Sequence, residues 1–455
     1  MYHPARVEHV RVGRSNMNLR RIITGAVAAL AAVSLVGCAP GAEGDASGKV
    51  TLRLWDENAA KAYESSIAEF EKQNPGIDVE INVVPWDSYF TSLRNEVGSG
   101  QGDDVFWLNG ANVTDYVQSD SLINISETFD KDTISKWDQS VVDQYTQDGS
   151  LWGVPQINDG GSAYYVNEDL LKEAGVTADE LSKATWSPKE SEDTLLPILQ
   201  KLTIDKNGNN AASPEFDAAN VKTYAINASS ELQNIQLNFI ASNGGTYQDE
   251  TGKLTFTNEK TVEAYQYIVD LINKYHVAPP AEATNDNGDY TRDEFLKGNI
   301  AVFQSGTYNL ANVNEGAQFK WSVTEMAAGP EGKVTVAPGL IAAGNKNSDN
   351  PEATKKLLEW LGSAEGVSYL GEAGAAAPAS EEGRKAYDEY WKSQDVDTSA
   401  FYSVIEGTEP APPVIGTNYA AQMEAFTPAL NEVFLGKTPV KEGLEKAQQA
   451  ADSVG

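Results

Sequence analysis

Hydrophobic and polar positions alternate along this chain with two different periods. Val50, Leu52 and Leu54 alternate with Thr51, Arg53 and Trp55, which is the period-two pattern of a strand. Tyr63, Ile67 and Phe70 then recur at helical spacing, and Asn74-Pro75-Gly76 ends that helix. Ile77, Val79, Ile81 and Val83 alternate again, Asp87 is placed to cap a second helix reaching Val97, and Asp103–Leu108 forms a third strand. Strands alternating with helices predict parallel β-α-β units with helices on the sheet faces.

Leu151–Gly175 is the stretch around which the rest of the chain is ordered. Trp152-Gly153-Val154-Pro155 is extended, Gly160-Gly161 gives backbone freedom, Ala163–Val166 is a short strand, and Asn167–Ala174 is a helix stopped by Gly175. This segment is expected to carry the chain from one compact lobe into a second. Trp186–Leu202 has helical features that Pro197 is expected to disturb. Val221–Ile226 is a strand, Ile235–Ala241 an apolar helix, and Thr261–Tyr275 a helix with a core stripe of Tyr265, Ile268, Ile272 and Tyr275. After the strand Ile300–Phe303, returns to the first and second lobes are expected near Pro338–Leu340 and Ala377–Pro378, around the helix pair of Pro351–Leu370. The helix Val440–Ala451 closes the second lobe.

The beginning of the chain is of another kind. Arg20-Arg21 precede an apolar run, Ile22–Val36, of secretory-signal type and too short to span a bilayer. Leu35-Val36-Gly37-Cys38 resembles a bacterial lipobox, which implies cleavage before Cys38 and lipid on its sulfur and amino group. Met17 is the expected start, and Ala39–Gly48 a flexible tether. The expected division is a leader at 1–37, a tether at 38–48, a first lobe of 49–157 with about 340–377, and a second of 158–339 with about 378–455.

Losing residues 1–37 removes five arginines and one glutamate and takes the net charge from −32 to −36. Such a chain repels nucleic acid and anionic lipid, and argues against an anionic substrate. Cys38 is the only cysteine, and of three histidines only His276 survives the cut, as a helix-end residue. No disulfide, thiolate nucleophile, multi-histidine metal site or cofactor is therefore expected. Asp205–Ala211 superficially resembles a calcium loop but carries Phe216 where glutamate belongs, so it reads as a turn.

In parallel sheets, ligands sit beyond the carboxyl ends of the strands. Those ends here carry Trp55-Asp56-Glu57-Asn58, Pro85-Trp86 and Trp107-Leu108-Asn109, with Asn112 close behind. In the second half, Glu231, Gln233 and Asn234 form a polar cluster after a strand, and Tyr308 follows the Ile300–Phe303 strand. Packing competes with binding for each tryptophan, and helix capping by Ser230 competes for the polar cluster.

Trp55, the run Glu69–Val79, the small-residue stretch Gly98–Phe106, the crossing Leu151–Gly175, Gly244-Gly245 with Thr257–Tyr275, and Phe295–Thr307 together resemble extracellular sugar-binding proteins of ATP-driven importers, the maltose-binding-protein-like family. The resemblance covers nearly the whole mature chain. It implies an α/β fold of two lobes joined by hinge crossings around a ligand cleft. The implied role is that of a lipid-tethered monomeric receptor on the outer face of the membrane, passing sugar to an ABC permease. It further implies that Asp159 binds a sugar hydroxyl, that Tyr308 stacks on sugar, and that Asn418-Tyr419 reaches the cleft.

The chemistry suits a neutral oligosaccharide. Hydroxyls need fixed donors and acceptors, and C–H faces need aromatic rings. Trp107 and Tyr308 are the leading platforms, with Asn109 and Asn112 taking over if Trp107 points into the core. Two other readings remain open. A surface-anchored glycoside hydrolase would use carboxylates among Asp56, Glu57 and Asp159. An amino-acid receptor would want an arginine, and Arg53 and Arg94 are the ones in the first-lobe stretches.

Overall fold

The computed structural model describes residues 48–416 and 418–454. The leader, Cys38 and the tether up to Ser47 lie outside the described residues. The chain opens with β1 (Gly48–Leu54), α1 (Glu57–Gln73), β2 (Ile77–Val83), α2 (Trp86–Gly98), β3 (Val105–Asn109) and α3 (Gly110–Gln118), and reaches β4 (Val154–Asn158). β1 runs parallel to both β2 and β3, with Leu52 opposite Ile81 on one side and Val105 on the other. These are the predicted β-α-β units. α2 begins one residue before Asp87, with Pro85 at its cap position, so Asp87 lies in the first turn and is not the cap. Proline is well suited there because its fixed φ and absent N–H cost nothing at a helix start.

The second half builds β5 (Ala163–Asn167), α4 (Glu168–Ala174), α5 (Leu195–Leu202), β6 (Ile204–Asp205), β7 (Val221–Ile226), α6 (Glu259–Asn273), β8 (Ile300–Ser305), α7 (Leu310–Gly316) and β9 (Trp321–Glu325). Asn167 caps α4 by accepting from the Asp169 and Leu170 N–H groups, and Gly175 ends it at φ +65°. The helical reading from Trp186 is corrected. Trp186 is core, and the helix starts only at Leu195. Pro197 falls in its first turn, where no backbone N–H is required, and does not break it.

The last part contributes β10 (Gly339–Gly344), α8 (Pro351–Leu361), α9 (Ala364–Glu372), α10 (Glu381–Ser393), α11 (Tyr419–Phe434) and α12 (Val440–Asp452). β10 returns to the first sheet and inserts between β3 and β4, antiparallel to both, giving the order β2-β1-β3-β10-β4. The second sheet has the order β9-β5-β8-β7-β6. Each sheet has its own apolar core. Phe70, Tyr89 and Trp107 anchor the first, and Trp186, Tyr265 and Phe434 the second. A third apolar cluster joins Tyr165 and Phe303 to Tyr387, Trp391 and Phe401.

The three crossings between the sheets lie side by side and bond to one another. Asn158 N donates to Ala377 O at 3.0 Å, Asp159 N to Pro338 O at 3.2 Å, and Ala379 N to Gln156 O at 3.0 Å. Gly160 and Gly161 serve closeness here rather than backbone freedom. Neither has a positive φ. A Cβ on Gly160 would come within 2.6 Å of Phe401 O, and one on Gly161 within 2.4 Å of Thr335 Cγ2.

Candidate functional site

At the first sheet's edge, Trp55 ends β1 and is half-buried, its ring edge-on to Trp86, Tyr89 and Trp107 at centroid distances of 5.1, 4.9 and 5.1 Å. Asp56 caps α1, its Oδ1 accepting from Ala59 N at 2.7 Å. Burial pushes its carboxyl upward, against those helix N–H groups. Trp86, on the first turn of α2, is 52% exposed and presents its ring to solvent. Trp107 does not. It is 1% exposed and packs against Tyr63 with centroids 5.9 Å apart, so the platform role is withdrawn from it. The cause is that β3 is a central strand covered on both faces, with Val105–Leu108 all buried. Asn109 at the strand end and Asn112 just beyond it are half-buried, and Asn112 Nδ2 donates to Asn109 Oδ1 at 2.7 Å.

Asp159 stands in the first crossing. Thr307, at the end of β8, donates its hydroxyl to Asp159 Oδ1. Burial pushes the Asp159 carboxyl up to about 6, against the pull of the Thr307 bond; nearby Asp56 raises it further and Arg384 lowers it. Tyr402 packs on the Gly160 backbone next to Asp159 and carries the Arg384 guanidinium over its ring, which brings Arg384 near Asp159.

The second sheet's polar cluster is occupied internally. Glu231 accepts from the N–H groups of Gln233, Asn234 and Ile235 at 2.7–3.1 Å, and burial raises its carboxyl. It is thus the helix cap at this point, in place of Ser230. Asn234 is 4% exposed. Its Oδ1 accepts from Ser162 Oγ at 2.8 Å and its Nδ2 donates to Tyr308 Oη at 2.5 Å. Asn234 therefore fixes the Tyr308 ring, which is half-buried at the end of β8. Gln233 is half-buried beside them. Asn418 is exposed at φ +60°, and its backbone N donates to Asp115 Oδ1 of α3 at 3.1 Å. Tyr419 is corrected: it is 4% exposed, packs on Tyr247 and Phe426, and shares a 3.0 Å hydroxyl contact with Tyr247 in the second core.

Sequence reasoning missed Thr307, Asp115, Tyr387, Tyr402 and Arg384. For Arg384 a signal was available, because it is one of only four arginines after residue 37. On the flank of the cleft a cavity of ≈ 370 Å³ lies between Asn58 and Lys61 of α1, Asn314 of α7, Tyr369 of α9, and Tyr390 and Trp391 of α10. The other readings find less support. Arg53 is 3% exposed and paired with Glu96 and Asp103. Arg94 is exposed on α2. Among the described residues no cluster of three His, Cys, Asp or Glu side chains is arranged for a metal ion. Asp205 accepts from the N–H groups of Asn207, Asn209 and Asp217. Its carboxyl is pushed up by burial but pulled by those bonds to about 2, as a turn requires.

With this geometry, comparison with known proteins defines the class. The profile described as Bacterial extracellular solute-binding protein matches residues 55–368, and the chain belongs to that family. It is 44% identical to M. tuberculosis UspC, whose crystal structure superposes with a TM-score of 0.72 over 90% of this chain and 100% of that one. Listeria monocytogenes Lmo0181, an ABC substrate-binding protein solved in complex with cycloalternan, is 22% identical with a TM-score of 0.75, covering 90% and 98% of the two chains. The maltodextrin-binding protein MdxE of Bacillus subtilis is 24% identical over 94% of this chain and 95% of its own. The fold is the two-lobe α/β fold of these binding proteins.

Proposed function

We propose that the protein is a receptor for a neutral oligosaccharide and delivers it to an ABC permease. The observation that carries this reading is Asp159, a part-buried carboxylate in the first crossing that accepts from the Thr307 hydroxyl and lies next to Gly160, where Tyr402 packs beneath the Arg384 guanidinium. Carboxylates and a guanidinium are strong fixed partners for hydroxyls, and the exposed ring of Trp86 suits a C–H face. The names of related proteins, which refer to maltodextrin, arabinooligosaccharide and cycloalternan, support the same class. A hydrolase would need a second carboxylate set beside Asp159, whereas Asp56 is committed to the α1 cap and Glu57 is exposed on the first turn of α1. Lobe closure about the three crossings, the division of the chain into lobes near 158, 340 and 378, anchoring through Cys38 and a monomeric state complete the proposal. Calorimetry with a panel of neutral oligosaccharides tests it, with chromatography of the incubated sugars for products. Absence of binding across the panel, or turnover, overturns it.

A further inference from the structure

Arg384 lies in the first turn of α10, just after the third crossing. Its Nε donates to both oxygens of Asp388 one turn on, at 3.1 and 3.2 Å. Its guanidinium lies over the Tyr402 ring. Tyr402 itself packs on the Gly160 backbone, next to Asp159. The arginine is thus clamped on one nitrogen and one face. Among the described residues its two η nitrogens have no hydrogen-bond acceptor. The buried hydroxyls of Tyr387 and Tyr402 lie toward the Thr307 side chain and the Gly160 backbone, in the surroundings of Asp159. This corner of the cleft therefore holds an oriented guanidinium near one carboxylate, and the Arg384 side chain is still 27% exposed, open to a ligand.

We propose that Arg384 is a ligand-binding residue whose η nitrogens donate to two adjacent oxygens of the bound sugar, one of which donates in turn to Asp159. The proposal rests on the sugar-receptor reading above and narrows it to a ligand with a vicinal diol at this subsite. A hydroxyl can accept from a guanidinium and donate to a carboxylate at once, and the planar fork matches two oxygens on neighbouring carbons. Charge decides against a uronate. Asp388 already pairs with Arg384, and Asp56 and Asp159 together outweigh the neighbouring Lys61, so a further carboxylate meets net repulsion.

The test compares wild type with Arg384→Gln by calorimetry, using maltotriose, cellotriose, arabinotriose, mono-deoxy analogues of whichever binds, and digalacturonate. Arg384→Gln is expected to weaken the neutral sugar about tenfold or more, with melting unchanged. The analogue lacking the hydroxyl that Arg384 contacts is expected to bind wild type and variant alike, which a merely structural arginine would not produce. Equal affinity of variant and wild type for the intact sugar overturns the assignment. So does an equal fold-loss for every deoxy analogue. Tighter binding of digalacturonate than of neutral sugars by wild type overturns the diol. Should Arg384→Gln not fold, Arg384→Lys, which keeps charge and stem but not the fork, is read the same way. Wild type that binds none of the panel removes the receptor reading itself, a result distinct from all of these.

Discussion

The Asp115 carboxylate accepts the backbone N–H of Asn418 at 3.1 Å, and so ties α3 on the first sheet to the start of α11 in the second core. Asn418 takes the left-handed conformation to present that N–H, at φ +60°. Because the bond spans the lobes, it exists only when they are together. Asp115→Ala is expected to shift the unliganded protein toward an open form and raise the sugar Kd several-fold, in keeping with a bond of about 0.5–1.5 kcal/mol. Solution scattering checks it: the radius of gyration without ligand should exceed that of wild type, and the two should converge at saturation.

Asp159 sets a pH dependence. Its folded pKa, about 6, lies above the ordinary carboxylate value of 3.8. The native state therefore binds more protons than the unfolded one between these values, and this residue's contribution to stability falls as pH rises from about 4 to 6. Ligand hydroxyls that donate to the carboxylate favour its ionised form. Affinity is therefore expected to weaken as pH drops through about 6, and calorimetry from pH 5 to 8 measures it. In Asp159→Asn the profile should be flat, lying below wild type at pH 8 by about 1.5–3 kcal/mol for a lost charge-assisted bond and converging with it toward low pH.

Trp107 and Trp86 should separate cleanly. Trp107→Ala empties a site in the first core and is expected to cost about 3–5 kcal/mol of stability, seen as a large fall in melting temperature. Trp86→Ala removes an exposed ring. It should leave melting nearly unchanged while weakening sugar binding and reducing the ligand-induced change in fluorescence.

Gly160→Ala places a methyl 2.6 Å from Phe401 O. The crossing or the Phe401–Tyr402 segment must move, and overpacking of this kind costs about 1–3 kcal/mol. Chemical denaturation gives the stability. A loss of binding larger than the loss of stability is expected as well, because Tyr402 supports Arg384.

Cys38→Ala is expected to release the protein from the membrane into the medium. Fractionation of cells expressing each form decides it, and retention of the variant at wild-type levels refutes acylation there.

Much of the scaffold was legible because it is locally encoded. The alternation of Val50, Leu52 and Leu54, the stripe of Tyr63, Ile67 and Phe70, and the Asn167 and Gly175 caps each depend on a few neighbouring residues. The return strand Gly339–Gly344 was seen only as a crossing point. Its run of small residues is dictated by neighbours over 100 positions away: the Cβ missing from Gly344 would meet Ile123 Cδ1 at 2.7 Å. Side-chain roles at the site were less legible still. Glu231, a polar residue after a strand, fits either ligand or cap, and only the direction of three backbone N–H groups makes it the cap. Trp107 and Trp86 have equally polar neighbours in sequence, but one lies midway along a central strand and the other starts a surface helix.

A single connecting strand would let two bodies pivot about any axis. The crossings here are three, bound edge to edge by backbone N–H···O=C bonds from Asn158, Asp159 and Ala379. Sliding one past another breaks those bonds, whereas bending all three together keeps them. The junction thus behaves as a laminated leaf spring with one soft direction. On the proposed receptor reading, open and closed forms would differ by essentially one angle, so a permease would meet one closed outline, whichever sugar caused the bend.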